Sequence, residues 1–93
     1  MSQKRIPILR VKWEDSCSNA AWASQEWHEK NASPSACESI GYLVTRNKKQ
    51  ISLAQSISST GNITDVISIP RQCATSIEVI GFSTEPRSTK GKR

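Results

Sequence analysis

Few residues in this chain could do covalent chemistry, and they are far apart. Three cysteines, Cys17, Cys37 and Cys73, and one histidine, His28, supply the only nucleophile and base of the usual kind. Cys17 and Cys37 flank the segment that carries His28, but no third group is spaced to orient a Cys–His pair. Structural thiols and a solvent-facing imidazole are the reading these residues support. A zinc site needs four ligands, or three and a water, and irregular cysteine spacing with a single histidine does not provide them within one chain. Glu26 and Glu29 lie one helical turn apart, where they suit the positive end of a helix dipole better than paired acid–base work. The chain therefore reads as a protein that is not an enzyme, with no metal and no cofactor. The thiols read as reduced and largely buried.

Binding is the chemistry left. Trp22, Trp27 and Tyr42 offer flat faces on which a base could stack, worth about 1–3 kcal/mol per base. Arg46 and Arg71, with Lys48 and Lys49 beside them, could neutralise phosphates. In a domain this small, Trp13, Trp22 and Tyr42 suit a core or a subunit interface better than a ligand site.

Charge does not by itself point to nucleic acid. The formal net charge is +5, but residues 10–84 hold seven positive and seven negative side chains. The excess lies at the two ends, with Lys4 and Arg5 at one and Arg87, Lys90, Lys92 and Arg93 at the other. A phosphate-binding fold more usually keeps its basic face on the body. The opening MSQKRIPILRVKWED lacks the apolar core of a signal peptide, and no run approaches the ~20 residues of a membrane span, so a cytoplasmic location is expected. Asn31-Ala32-Ser33 matches a glycosylation pattern that matters only in a secreted chain.

The elements that must carry these residues are mostly strands. Ninety-three residues make one small domain that buries only about 60–65% of its unfolded surface, which favours oligomerisation. Leu9, Val11 and Trp13 alternate with Arg10, Lys12 and Glu14, the period-two pattern of a half-buried strand. Ser24 then caps a short helix holding Trp27 and His28, with Asn31 placed for a left-handed C-cap. Trp22, before the cap, could brace Trp27. Residues 37–45 form a strand with apolar residues on both faces, hence a central one. Asn47-Lys48-Lys49 turns into a strand in which Ile51, Leu53 and Ile57 share a face, opposite Ser52, Ala54, Ser56 and Ser58. Gly61 suits a positive-φ turn, and Ile63, Ile67 and Ile69 share the parity of the next strand, with Asp65 the exception. Pro70 stops that ladder, Arg71-Gln72-Cys73-Ala74 makes a tight or 3₁₀ turn, and residues 76–80 add a final strand. Five strands of this kind suggest a small antiparallel barrel, mainly β, with one short helix inserted between strands 1 and 2. The expected division is a flexible N-terminal arm over 1–8, the barrel over 9–82 and a disordered basic tail over 83–93.

The order of elements, with Val11-Lys-Trp-Glu-Asp15, Trp22-Ala-Ser24, Ser39-Ile-Gly-Tyr-Leu-Val44, Ile51-Ser-Leu-Ala-Gln-Ser56, Ile69-Pro-Arg71 and Ser76-Ile-Glu-Val-Ile80, resembles a group of small proteins of tailed bacteriophages and prophages. It also resembles, over roughly residues 9–81, the Sm-like barrel architecture, from which it departs in having a strand where the usual N-terminal helix stands. The resemblance implies a non-catalytic phage accessory protein acting in the cytoplasm of an infected bacterial cell. The counter-defence form of that role is sequestration of a cyclic-nucleotide immune signal by a homo-oligomer, with Trp22, Trp27, Tyr42, Arg46 and Arg71 as the ligand-binding set. An Sm-like binder of RNA or single-stranded DNA is the alternative, and direct inhibition of a host defence protein is a third.

Overall fold

The computed structural model describes residues 5–84. Five strands and two short helical segments follow one another as β1 (Pro7–Asp15), α1 (Gln25–Asn31), β2 (Ser35–Arg46), β3 (Gln50–Ile57), β4 (Ile63–Pro70), a 3₁₀ turn (Arg71–Cys73) and β5 (Ala74–Phe82). The helix lies after β1 and before β2. All strand pairs are antiparallel, in the order β4-β3-β2-β1-β5.

β2 serves two neighbours in succession. Residues Ser35 to Tyr42 pair with β1, and Tyr42 to Arg46 pair with β3. Tyr42 alone is paired on both sides, with Ile8 and with Ala54. A register shift between Leu43 and Thr45 follows at once, and such bulges bend a strand and increase its twist. The sheet is thus two three-stranded halves, β5-β1-β2 and β2-β3-β4, hinged along β2. Leu9 and Val11 of the first half meet Ile51, Leu53 and Ile69 of the second in one buried cluster, edged by Trp13, Leu43, Cys73, Ala74 and Ile77. Burying each of those five side chains contributes about 1.5–3 kcal/mol.

The connection between β4 and β5 requires this curl. Laid flat, the two outer strands of a five-stranded sheet would stand about 19 Å apart at ~4.8 Å per strand. The three residues of the 3₁₀ turn rise only about 2 Å each. They can join the two edges because the halves fold over one another at that corner.

The curl stops short of closure, which corrects the expectation of an Sm-like barrel. β4 follows β3 from Gln50↔Pro70 to Ile57↔Ile63, while β5 follows β1 from Trp13↔Ala74 to Pro7↔Phe82. The two strands meet at the turn and then diverge, so no ladder joins them among the described residues and both remain edges. Asp65, at φ 56, puts a left-handed residue into the middle of β4 and interrupts that edge further.

Other local expectations are also revised. Asn31 does not adopt a left-handed cap; it is the last helical residue, and its side-chain amide donates to the Trp27 carbonyl at 2.7 Å. Helix C-capping falls to extended Ala32, whose amide donates to the His28 carbonyl. The thiols are not largely buried, since Cys17 is exposed and Cys37 and Cys73 are half-buried; all three are free. On β3, the face assigned as wetter is covered at Ser52 and Ala54. Ser52 tolerates this because its hydroxyl bonds with Ser68 Oγ at 2.8 Å and accepts from Gln50 Nε2 at 3.0 Å. The sheet also begins at Pro7, and Ile6 is tied to Ser83 by two hydrogen bonds of 2.8 and 2.9 Å, so ordered structure reaches into both expected arms. Residues 1–4 of the N-terminal arm and 85–93 of the basic tail lie outside the described residues.

Candidate functional site

Asn47 builds the corner that carries most of the body's positive charge. Its amide donates to the Gln50 carbonyl at 3.0 Å, closing the turn between β2 and β3. Its side-chain oxygen accepts from the amides of Lys49 and Gln50 at 2.8 and 3.0 Å. An Asx-type turn of this kind fixes the backbone without using the neighbouring side chains. Arg46, Lys48 and Lys49 are all exposed around it. Arg71 is brought to the same corner by the chain path, because its amide donates to the Lys49 carbonyl at 2.8 Å. Four cationic residues are therefore brought to one corner from two segments 22 or more positions apart in sequence, which spacing alone does not reveal.

No described carboxylate neutralises this corner. The ion pairs among the described residues belong to Arg10, whose guanidinium lies 3.7 Å from Glu38 and 3.1 Å from Glu78. Arg10 joins β2, β1 and β5 on the outer face of the first half-sheet. Exposed pairs of this kind contribute at most about 1 kcal/mol.

The aromatic candidates divide into separate places. Tyr42 is half-buried at the bend of β2, four residues before Arg46 on the same strand. Trp22 and Trp27 belong to the excursion that leaves β1 at Asp15 and rejoins the sheet at Ser35, the end of β2 opposite Arg46. Ser24 caps α1 by accepting from the Trp27 amide at 3.1 Å, but no residue of α1 is buried. Trp22 is fully exposed and does not brace Trp27. The Trp27 ring instead meets the His28 ring edge-on, with centroids 5.2 Å apart. Of the five residues singled out for a ligand, the structure groups Arg46 and Arg71 at one corner, sets Tyr42 along the strand leading to it, and leaves the two tryptophans on the separate helical excursion.

One contributor was not singled out from sequence. Gly41 is buried where β2 crosses β3, and a Cβ there would lie 2.8 Å from the Ala54 carbonyl oxygen. A glycine inside a strand is the available signal for such close approach. Trp13, which its period-two spacing with Leu9 and Val11 aims at the core, packs there, and its indole N–H donates to Ser39 Oγ at 3.0 Å, so its polar atom is satisfied.

Among the described residues no group of three or more His, Cys, Asp or Glu side chains could hold a metal ion. No described helix is long and apolar enough to cross a membrane. Comparison with known families, curated proteins and solved structures gives no match to this chain.

Proposed function

We propose that this chain is a non-catalytic binding protein that works as a homo-oligomer and captures a small phosphate-bearing ligand at the Arg46/Lys48/Lys49/Arg71 corner. The observation that carries the reading is that corner: four cationic residues on two turns joined by the Arg71–Lys49 backbone bond, with no described carboxylate paired to any of them. Phosphate oxygens suit such a place, since charge-assisted hydrogen bonds from arginine are roughly twice as strong as neutral ones. Tyr42 stands four residues back on the strand that ends in Arg46, but it pairs with Ala54 while Arg46 pairs with Ile51, so the register sets the two on opposite faces of β2 and the corner binds through its cations. The resemblance to tailed-phage proteins supports a cyclic-nucleotide immune signal as the ligand and counter-defence in the infected cell's cytoplasm as the role.

Isothermal titration with cyclic di- and trinucleotides tests this. Arg46→Glu combined with Arg71→Glu is expected to weaken binding by at least tenfold without lowering thermal stability, since a hydrogen bond to a charged group is worth about 1.5–3 kcal/mol. Unchanged affinity in the double variant sinks the assignment of the corner. An affinity for RNA that collapses with salt supports the Sm-like nucleic-acid reading instead. Trp22, wholly exposed on its loop, favours a second reading in which the excursion 16–34 docks on a host defence protein, because exposed tryptophans are strong interface anchors. Trp22→Ala and Trp27→Ala then abolish capture of that protein and leave nucleotide binding intact.

A further inference from the structure

Of the described aromatic residues, Trp13 is the one that the fold carries to the basic corner, and two independent features put it there. The first is the 3₁₀ turn. The Arg71 amide donates to the Lys49 carbonyl at 2.8 Å, and the Arg71 carbonyl accepts from the Ala74 amide. Ala74 in turn pairs with Trp13 on the ladder between β5 and β1. Paired residues stand about 5 Å apart and a 3₁₀ turn rises about 2 Å per residue, so the Trp13 and Arg71 backbones are no more than about 11 Å apart. The second feature is the shared face. Residues directly opposite on a ladder point to the same side of the sheet. Arg46, Ile51 and Ile69 form one such row across β2, β3 and β4, and Ile51 and Ile69 belong to the buried cluster. Cys37, Trp13 and Ala74 form another across β2, β1 and β5, and Trp13 packs on the same cluster. Pro70 and the 3₁₀ turn join the Ile69 end of the first row to the Ala74 end of the second. Arg46 and Trp13 therefore share the concave face, whereas Tyr42 lies on the other.

We infer that Trp13 is the surface on which the base of the ligand lies while its phosphate is held by Arg46 and Arg71. The inference rests on the proposed function and names the second half of the same site. Trp13 is half-buried, so part of its ring stays open to a ligand. Its indole N–H is already bonded to Ser39 Oγ at 3.0 Å, so the side chain offers ring surface and no further hydrogen bond. The ligand class follows from that chemistry. The site takes a nucleoside phosphate in preference to phosphate alone, and Trp13 accepts any base, because every base has a face that can stack.

Fluorescence titration of the full chain tests this. Trp22→Phe combined with Trp27→Phe leaves Trp13 as the sole indole, and both changes fall on the excursion, where α1 buries nothing. Cyclic di- and trinucleotides are expected to change the Trp13 emission saturably. Adenosine monophosphate is expected to bind about 5- to 150-fold more tightly than ribose phosphate, which differs from it only in lacking the base. Trp13→Leu keeps an apolar side chain on the core. With an unchanged circular-dichroism spectrum it should weaken adenosine monophosphate by the same factor and leave ribose phosphate unaffected, an outcome that a purely structural role for Trp13 does not give. Where Trp13→Leu fails to fold, the emission and the comparison of the two phosphates decide, since both are read with Trp13 in place. Nucleotide binding that leaves the Trp13 emission unaltered overturns the inference, and so does equal affinity for the two phosphates. The two readings fail separately. Binding with a silent Trp13 leaves the basic corner standing without its stacking surface. A Trp13 response that survives Arg46→Glu combined with Arg71→Glu removes the corner and leaves Trp13. No uptake of any of these probes removes both.

Discussion

Replacing Gly41 by alanine tests the crossing of β2 over β3 more sharply than any other single change. The added methyl would lie 2.8 Å from the Ala54 carbonyl oxygen and 3.0 Å from Leu53 Cβ. Neither neighbour is a flexible side-chain end. One is the backbone of an interior strand and the other belongs to the central cluster, and both residues are 1% exposed. The strands must part by a few tenths of an ångström, and overpacking of this kind costs about 1–3 kcal/mol. Alanine returns about 0.5–1 kcal/mol by restricting the unfolded chain. At the middle of those ranges the net loss is about 1.3 kcal/mol, which lowers the melting temperature by roughly 5–10 °C in a domain of this size. Gly81→Ala is the matched control, because its methyl would meet only Ile8 Cδ1 at 3.9 Å and is expected to change stability by less than about 0.5 kcal/mol. Urea and thermal unfolding followed by circular dichroism give both numbers. A Gly41→Ala protein as stable as the parent, or more so, refutes the argument that β2 and β3 are held at contact distance there.

Three further outcomes follow from individual contacts. Asp65→Gly relieves a left-handed residue and should hold or raise the unfolding free energy from urea titration by up to about 1 kcal/mol, whereas Asp65→Val should cost at least that much; equal stabilities remove the case for strain in β4. Ser24→Ala deletes the α1 cap, worth about 1 kcal/mol, and because α1 buries nothing, hydrogen exchange should quicken in residues 25–31 with little change in global melting; a large drop in melting temperature means that α1 packs on the sheet. Arg10→Ala should destabilise by no more than about 1 kcal/mol, with the difference shrinking at high salt; a salt-independent loss above 2 kcal/mol shows that its contacts are not exposed ion pairs.

The strands were legible because their faces differ in chemistry. Leu9 and Val11 against Arg10 and Lys12, and Ile51 and Leu53 against Ser52, keep strict period two, and the structure puts the first residues of each set in the core. The helix was legible from Ser24, whose hydroxyl acts locally. What could not be read was whether the sheet closes, because that depends on how far β4 and β5 diverge beyond the 3₁₀ turn, a long-range consequence of the bend in β2. Asp65 stood out only as a break in parity; its left-handed backbone was not visible in the pattern. For the site, the run Arg46-Asn47-Lys48-Lys49 announced a charged turn, but its meeting with Arg71 depends on the Arg71–Lys49 backbone bond. The tryptophans misled in the opposite direction. Their size suggested packing or a shared pocket, yet Trp22 and Trp27 sit on an excursion that buries nothing of α1, and the burial of an indole on a loop is decided by tertiary contacts that periodicity does not encode.

Native mass spectrometry of the full chain, with and without a panel of cyclic di- and trinucleotides and short RNA, tests the proposed function most directly. The expected result is a discrete oligomer that gains an integral number of intact cyclic nucleotides, released unchanged on denaturation, and that fails to gain them when Arg46 and Arg71 are both glutamate. An oligomer that takes up no nucleotide at any ratio, or RNA adducts of no fixed stoichiometry that vanish with salt, contradicts it.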